Sequence, residues 1–262
     1  MANEVEKLNT IAIADIEKFN LLADSDIEKI NGFEFASAPA LAFDAASGAT
    51  GTEVSSITFS HTCSTTSHRL LVVSVNLAAY PEDPPSVTSV TYGGDAMTEG
   101  GTIHYLTYHR TSLYYKVAPA TGTNDVVITP AATYDVIIGG SVSFVGVNQS
   151  TPFGTFATSS AGNIDDSSTP SYATTTVSSA ADEIMVYSQG NTYGAAGNVW
   201  SDYASDGGIE RHDASVNTSG KDGNGSLYTK AGSSGANTAT ADTQNTAGQY
   251  GYHMVAVSVK PA

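Results

Sequence analysis

Basic residues are scarce in this sequence of 262 residues. Lys and Arg together number 10, against 26 Asp and Glu, which gives a formal net charge of −16. A surface of this sign repels the phosphate backbone of nucleic acids and the headgroups of anionic lipids. We therefore expect no nucleic-acid partner.

Long apolar runs and cysteines are also scarce. No stretch approaches the roughly 18 apolar residues of a transmembrane helix, so no membrane insertion is expected. The opening MANEVEKLNT has no apolar core behind a basic flank, so it does not resemble a secretory signal. Cys63 is the only cysteine, which excludes an intrachain disulfide and leaves packing or assembly to stabilise the chain.

Motifs for catalysis and metal binding are missing as well. The sequence has no G-x-S-x-G elbow, no P-loop, no H-E-x-x-H and no Cys/His metal spacing. Residues 222–226 (DGNGS) match the opening of a calcium loop but lack the glycine and glutamate that complete it, so a plain turn is the favoured interpretation. We predict no enzymatic activity, no catalytic residue, no metal and no cofactor.

What the sequence does contain is strand alternation. In residues 69–78, Leu71, Val73, Val75 and Leu77 are predicted to face the core, while residues between them, such as Ser74, face the other side. Prolines at 81–85 and two glycines at 93–94 end strands. The predicted strands are 54–60, 69–78, 86–92, 102–109, 111–117, 125–129, 136–147, 171–177, 183–189, 208–212, 225–230, 238–242 and 250–260.

Short strands without an intervening helical pattern indicate a mainly β fold. With about a dozen strands and no repeat among them, the economical arrangement is a single two-sheet jelly-roll-like β-sandwich. We expect an N-terminal repeat and attachment segment at 1–35, a linker at 36–53 that is low in charge, and a display domain at 54–262.

The N-terminal segment is a repeat. VEKLN at 5–9, IEKFN at 16–20 and IEKIN at 27–31 recur every 11 residues. One possible geometry is a continuous helix, since 11 residues make three turns. The other is a short strand plus one helical turn per repeat, and it is favoured because Asn recurs where a helix would have to continue.

Apolar residues of this repeat are too many for a 35-residue segment to bury alone. They therefore predict an attachment or assembly surface, filled by other copies of the chain or by a larger assembly. The residues of this surface are Leu8, Ile11, Ile13, Ile16, Phe19, Leu22, Ile27, Ile30 and Phe33.

Two features carry a resemblance to a known family. The series RLLVVSV, SVTSVTYGGDAMT, TSLYYKVAPATGTNDVVIT, GSVSFVGVNQSTPFGT and HMVAVSVKPA resembles a β-sandwich domain of phage virion proteins and secreted bacterial proteins. The IEKIN-type openings are similar to the N-termini of phage structural proteins. The resemblance implies a virion-surface component that docks on other virion proteins through residues 1–35, as a homo-oligomer for which a trimer is one option. It brings no catalytic residue with it.

Aromatic residues near predicted turns indicate a second surface. Tyr rings can stack on sugars and donate hydrogen bonds, and the glycine-rich region 191–224 holds the only Trp. The predicted ligand surface comprises Tyr193, Trp200, Tyr203 and Arg211, with a host-surface glycan as the ligand; the alternative is that they pack the end of the sandwich.

Two functions from different classes therefore remain. One is a virion structural protein, of the capsid decoration, head-fibre or tail-fibre type, that displays its sandwich for host attachment. The other is a carbohydrate-binding module or adhesin whose main role is glycan recognition. The repeat separates them, because a free-standing lectin has no need of an apolar attachment segment.

Overall fold

The computed structural model describes residues 7–8, 11–12, 18–19, 22–23, 29–30, 33–34, 38–78, 86–105, 109–161, 171–193, 202–203, 207–218, 221–243 and 251–262. All regular secondary structure in these residues is β. The chain divides into two compact units, Met1–Pro39 and Ala40–Ala262. The predicted mainly β sandwich fold is confirmed.

The first unit contains three short hairpins that follow the 11-residue repeat. Their strands are β1 (Lys7–Leu8), β2 (Ile11–Ala12), β3 (Lys18–Phe19), β4 (Leu22–Ala23), β5 (Lys29–Ile30) and β6 (Phe33–Glu34). In each hairpin two apolar residues face each other across the turn, in the register Leu8↔Ile11, Phe19↔Leu22 and Ile30↔Phe33. Of the two predicted geometries, the described residues take the recurring short strand. The helical turn predicted at the VEKLN-type motifs is wrong for their described residues, because Lys7–Leu8, Lys18–Phe19 and Lys29–Ile30 are strands.

The second unit is built from seventeen further strands in the described residues. They are β7 (Ala42–Val54), β8 (Ile57–Cys63), β9 (Leu70–Ala78), β10 (Val87–Tyr92), β11 (Asp95–Ala96), β12 (Thr98–Tyr105), β13 (His109–Val117), β14 (Gly122–Pro130), β15 (Tyr134–Val145), β16 (Ala157–Ala161), β17 (Ser171–Ser179), β18 (Ile184–Tyr193), β19 (Asp202–Tyr203), β20 (Ile209–Thr218), β21 (Lys221–Ala231), β22 (Gly235–Thr243) and β23 (Gly251–Val259).

Two assignments made from the sequence are wrong. Residues 42–53, predicted as linker, form most of the long edge strand β7. Their small residues pair with β15, and glycines such as Gly48 lie where a side chain would collide with a neighbouring strand. Residues 222–226, predicted as a turn, lie inside β21 and pair with β18 and β20.

Four antiparallel sheets make up the second unit. A four-stranded sheet has the order β11-β10-β14-β8, and a five-stranded sheet has the order β12-β13-β9-β15-β7. We call this pair the first sandwich. A second five-stranded sheet has the order β20-β21-β18-β23-β16, and a three-stranded sheet has the order β19-β22-β17. We call this pair the second sandwich.

The second sandwich repeats the strand order of the first. In both five-stranded sheets the strands are arranged, from one edge to the other, in the same way relative to their order along the chain. The strands β20, β21, β18, β23 and β16 occupy the places of β12, β13, β9, β15 and β7. Residues 112–116 (SLYYK) in β13 correspond to 226–230 (SLYTK) in β21. Both edge strands also carry a register shift after a glutamate, at Glu99 in β12 and at Glu210 in β20. The agreement in order, sequence and bulge indicates an internal duplication.

The two five-stranded sheets pack face to face along a surface that we call the seam. Eleven buried apolar residues from both sheets form the cluster there, and most are completely inaccessible to water: Leu70, Val72, Leu113, Val142, Phe144, Val147, Val186, Leu227, Val255, Val257 and Val259. Burial of this apolar area is the main driving force that joins the sandwiches. The four sheets therefore form a stack rather than two separate domains.

Strand β9 shows why the stack matters. Its apolar face packs in the first sandwich, as its alternation predicts. The opposite face was predicted to be polar and away from the core, but Ser74 and Asn76 are only 1% and 4% exposed. The second sandwich covers this face, so all nine residues of β9 are buried.

Candidate functional site

The strands of the second unit end at two opposite ends, which have different structures. At one end Leu70, the first residue of β9, pairs with Val117 and Phe144. At the other end Ala78, the last residue of β9, pairs with His109 and Val136. We call these the base end and the loop end. Gly223 lies against Ala78 and Val136, which places the corresponding end of β21 at the loop end too.

The base end is closed by main-chain hydrogen bonds. The Asn148 amide donates to the Lys260 carbonyl and the Lys260 amide donates to the Pro152 carbonyl, at 3.0 and 2.9 Å. The chain enters the second unit here, because Ala42 at the start of β7 pairs with Val145 at the end of β15. The base end therefore joins both sandwiches and receives the chain from the N-terminal side.

The loop end contains strand ends of both sandwiches. Eight of the sixteen connections between strands of the second unit begin and end at strand ends located here: 55–56, 79–86, 106–108, 131–133, 162–170, 194–201, 219–220 and 244–250. The other eight join strand ends at the base end. Loops that a rigid sheet scaffold brings to one end are a common location for binding residues. Because the chain enters the unit at the base end, the loop end is the candidate interaction surface of the second unit.

A charged network lies beside the loop end on the first sandwich. The Arg110 side chain, 10% exposed, donates from Nη2 to Glu99 Oε2 at 2.7 Å, and the Tyr114 hydroxyl donates to the same oxygen at 2.7 Å. Arg110 Nε donates to Ser112 Oγ at 2.8 Å. His104 Nε2 accepts from Arg110 Nη1 at 3.2 Å, so this histidine is neutral in that arrangement.

This network fixes ionisation states as well as positions. Burial, the bonded Glu99 carboxylate and its negative charge raise the pKa of Tyr114 well above its ordinary value, so the hydroxyl stays a donor. Burial and the positive charge of Arg110 lower the pKa of His104. The cluster therefore holds one charge pair and neutral partners in fixed geometry, which suits a rigid support for the adjacent strand ends.

A second polar cluster sits inside the seam, near the loop end. Asn76 from the first sandwich donates from Nδ2 to Ser188 Oγ of the second at 3.3 Å, and Thr111 Oγ1 donates to Asn76 Oδ1. The rings of His109 and His253, one from each sandwich, lie 5.9 Å apart. Burial lowers the pKa of both, to about 3 for His253, so both are neutral at physiological pH.

A third cluster resembles the components of a hydrolytic triad but is arranged differently. His61 Nδ1 lies 2.8 Å from Ser141 Oγ and 2.9 Å from Ser47 Oγ. The Asp44 carboxylate instead accepts from Ser143 Oγ and the Ser64 amide. A triad needs the carboxylate on one ring nitrogen and the nucleophile on the other. Here both serines share one nitrogen inside the first sandwich, so the geometry is that of a buried structural cluster.

The predicted ligand residues do not form one described surface. Arg211 is engaged internally: its guanidinium lies 3.6 Å from the centre of the Phe43 ring, and Nε donates to Thr229 Oγ1 at 2.8 Å. Tyr193 ends β18 and Tyr203 ends β19, and both positions belong to the loop end. Trp200 lies outside the described residues. Arg211 contacts Phe43 near the base end, so the described residues do not bring it together with Tyr193 and Tyr203, and its part in ligand binding stays a prediction.

The predicted attachment residues fall partly within the hairpins of the first unit. Leu8, Ile11, Phe19, Leu22, Ile30 and Phe33 all occupy strand positions facing an apolar partner in the register. Ile13, Ile16 and Ile27 lie outside the described residues. In the part of the chain that the structure describes, no group of three or more His, Cys, Asp or Glu could hold a metal ion. The described residues also contain no helix of sufficient length and hydropathy to cross a bilayer.

Comparison with known proteins gives no relative for this chain: no family model, no curated protein and no solved structure matches it.

Two groups of interacting residues were not predicted from the sequence. The Arg110 network was missed because Glu99 and Arg110 lie on different strands, and only the hairpin register brings them together. The seam cluster was missed because Asn76 and Thr111 occupy polar positions that alternation assigns to solvent. The available signal was the SLYYK and SLYTK pair, which marks β13 and β21 as equivalent strands.

Proposed function

We propose that this chain is a non-enzymatic virion structural protein, of decoration or fibre type, that docks through its N-terminal repeats and presents the loop end to the outside. The observation that carries the proposal is the polarity of the second unit. The chain enters it at the base end, next to residues 260–262, and the strand ends of the loop end lie at the opposite end of the same sheets. An anchored, outward-facing module needs this separation of anchor and display surface.

The N-terminal hairpins support the docking part of the proposal. Each has one apolar pair directly across from another strand, which is the unit that stabilises a sheet. Two-stranded hairpins of this length are marginal in water, so they need further strands or a partner surface. Repetition at a fixed spacing supplies several equivalent contacts along one partner, which favours other virion proteins or further copies of this chain.

The second unit supports the display part. Its charged and polar clusters around Arg110, Asn76 and His61 are buried and bonded within the stack. They are engaged in packing and in hydrogen bonds within the stack. Strands that are buried on both faces, such as β9, make a rigid scaffold for the connections at the loop end.

Oligomeric state of the full chain tests the docking step. Light scattering after size exclusion would compare the native chain with a Phe19→Ser/Ile30→Ser variant, which removes one apolar partner from two hairpins. The matched control is Lys18→Ser/Lys29→Ser, which changes the neighbouring residue of the same two strands. We expect an oligomer for the native chain and the control, and a monomer for the first variant.

Incorporation into phage particles and glycan binding separate the two functional classes. The virion proposal expects the Phe19→Ser/Ile30→Ser variant to be lost from purified particles while its second unit remains folded. A native chain that is monomeric, that binds bacterial surface polysaccharide and whose binding is unchanged by both double variants would contradict the proposal and favour the carbohydrate-binding module.

A further inference from the structure

The DGNGS motif at 222–226 lies in a strand, where its alternate residues share one face. Asn224 and Ser226 lie on the same face of β21 as Tyr228, which belongs to the core of the second sandwich. Leu227 points the other way and packs in the seam. Asn224 and Ser226 therefore face the interior of the second sandwich, between its two sheets.

The two neighbouring strands place further oxygen-bearing side chains on this face. On β20, Ala214 packs against residues of the first sandwich, so Asp213 faces the interior. On β18, Ser188 bonds across the seam, so Gln189 faces the interior. In the register Ser226 is paired with Asp213 on one side and with Gln189 on the other. We call the resulting group the oxygen cluster: Asp213, Gln189, Asn224 and Ser226.

Most of the oxygen cluster is buried. Gln189, Asn224 and Ser226 are 0%, 4% and 1% exposed, and Asp213 on the edge strand β20 is half-buried. Within the described part of the chain, Ser226 Oγ has no hydrogen-bond partner, which is costly for a buried hydroxyl. Carboxylate and amide oxygens have two lone pairs each, so the other members can bind a ligand and keep a hydrogen bond. The cluster therefore has a buried floor and is reached from solvent at Asp213.

The equivalent positions of the first sandwich contain different chemistry. Through the SLYYK and SLYTK pair, Arg110 corresponds to Asn224, and the register makes Thr102 correspond to Asp213. A guanidinium only donates hydrogen bonds, whereas an amide oxygen and a carboxylate accept them. The second sandwich has thus exchanged a fixed cation for an acceptor and gained a carboxylate beside it. Such an arrangement favours a bound cation.

We propose that the oxygen cluster binds a calcium ion through its carboxylate, its two amide oxygens and its hydroxyl. Calcium takes roughly six to eight oxygen ligands in flexible geometry, so water completes the shell. Adjacent strands lie about 4.8 Å apart, so an ion above β21 is within reach of side chains from β20 and β18 as well. The ion ties the edge strand β20 to the middle of the sheet. The site is independent of the virion function, because it concerns only the second sandwich.

The ligand types set the expected affinity and selectivity. Unlike a site of three acidic or histidine side chains, the oxygen cluster relies mainly on neutral oxygens. A low ligand charge gives a weak site, and we expect a Kd of about 10⁻⁴ to 10⁻³ M, the range of extracellular calcium modules. Magnesium demands near-ideal octahedral geometry and gives up its water reluctantly, so it should bind at least about tenfold more weakly.

Calcium titration of the EDTA-treated full chain, followed by isothermal titration calorimetry at about 0.15 M KCl, measures both ions. We expect one calcium ion per chain. No calcium binding up to about 10⁻² M, tenfold beyond the expected range, would overturn the proposal. Equal binding of magnesium would also overturn it, because diffuse attraction to the net charge of −16 does not discriminate between the two ions.

Asp213→Asn removes the charge of the oxygen cluster at constant shape and should weaken calcium binding at least about tenfold. The matched control is Asp125→Asn, which changes an exposed carboxylate that accepts from Ser60 Oγ on the first sandwich and should leave the affinity unchanged. Native affinity in a folded Asp213→Asn variant would contradict the site. If that variant does not fold, Ser226→Ala decides: loss of its oxygen should weaken binding at least about threefold, and native affinity would contradict the site.

Terbium luminescence locates the ion without a change of ligand. Terbium replaces calcium at oxygen sites and emits when a nearby tyrosine is excited. Tyr228 is two residues from Ser226 on the same face, about 7 Å along the strand. Tyr228→Phe should therefore reduce the emission while the calcium affinity stays native, and Tyr134→Phe in the first sandwich should change neither. Emission that is unaffected by Tyr228→Phe would place the ion elsewhere and overturn the assignment.

Discussion

The two sandwiches share one strand order but bury very different cores of their own. Between its two sheets the first sandwich encloses 14 buried apolar residues, among them Phe59, Tyr92 and Ile128. Among the described residues the second encloses seven, and its outer sheet there has three strands instead of four. Buried apolar area sets the hydrophobic contribution to stability, so within the described residues the seam is a larger share of the buried core for the second sandwich than for the first.

The sandwiches also differ at equivalent positions inside the seam. Where β9 and β13 carry Asn76 and Thr111, the corresponding positions of β18 and β21 are Gly190 and Gly225. A side-chain carbon on Gly225 would lie 2.6 Å from Asn76 Nδ2, and one on Gly190 would lie 2.5 Å from Thr111 Oγ1. The duplicated halves are therefore complementary rather than identical: one supplies the polar side chains and the other supplies the space.

The largest effect is expected from filling that space. Gly225→Thr gives the second sandwich the residue that β13 has at the equivalent position, and its side chain would collide with Asn76. Overpacking of this kind costs about 1–3 kcal/mol, and disruption of the Asn76 hydrogen bonds adds about 1–3 kcal/mol. Chemical denaturation, followed by far-ultraviolet circular dichroism, would measure the loss. Removal of the obstructing side chain by Asn76→Gly should recover part of it, and equal loss in the double variant would contradict this complementarity.

A smaller effect is expected at Glu99 and Glu210, the two glutamates that precede the register shifts in β12 and β20. Glu99→Gln leaves the buried Arg110 guanidinium and the Tyr114 hydroxyl without their carboxylate, and we expect a loss of about 1–3 kcal/mol, because the Glu99 side chain is 37% exposed. Glu210 holds the same position in β20, where Asn224 takes the place of Arg110, so Glu210→Gln removes no such ion pair and should change stability by less than about 0.5 kcal/mol. Equal losses for the two variants would show that the Arg110 network contributes no more than an exposed glutamate does.

Most strand positions in the second unit could be predicted from the sequence, because apolar alternation and glycine or proline turns mark them locally. Strands β9, β13 and β15 begin and end close to their predicted bounds. Strand β7 was missed because its small residues carry little apolar signal; close packing against β15 and β20 requires that smallness. A local sequence pattern does not show how closely a partner strand will pack.

For a related reason, the alternation of polar and apolar residues does not predict that two sandwiches stack. Polar residues such as Ser74 and Asn76 lie on a face that looks solvent-exposed until the second sandwich covers it. The duplication itself has a sequence signature in SLYYK and SLYTK, but the intervening residues have diverged. The contact of Arg211 with Phe43 could not be predicted either, because β7 and β20 are distant in the sequence and only the stack of sandwiches brings them together.

The smallest effect is expected at Arg211. Its guanidinium stacks on Phe43 and bonds to Thr229, and burial lowers the pKa of Arg211, so the side chain bridges the two sandwiches at a partly desolvated position. Arg211→Met keeps much of the apolar stem and removes the charge and its hydrogen bond, and we expect a loss of about 1 kcal/mol in the free energy of unfolding. Lys116→Met removes a cation whose partner, Asp95, is largely exposed, and should cost less than about 0.5 kcal/mol.

Because Arg211 belongs to the seam, its loss should also make the second sandwich easier to separate, whereas binding at the loop end should be unchanged. If Arg211→Met instead abolished ligand binding without a measurable loss of stability, the result would support the prediction that Arg211 belongs to the ligand surface.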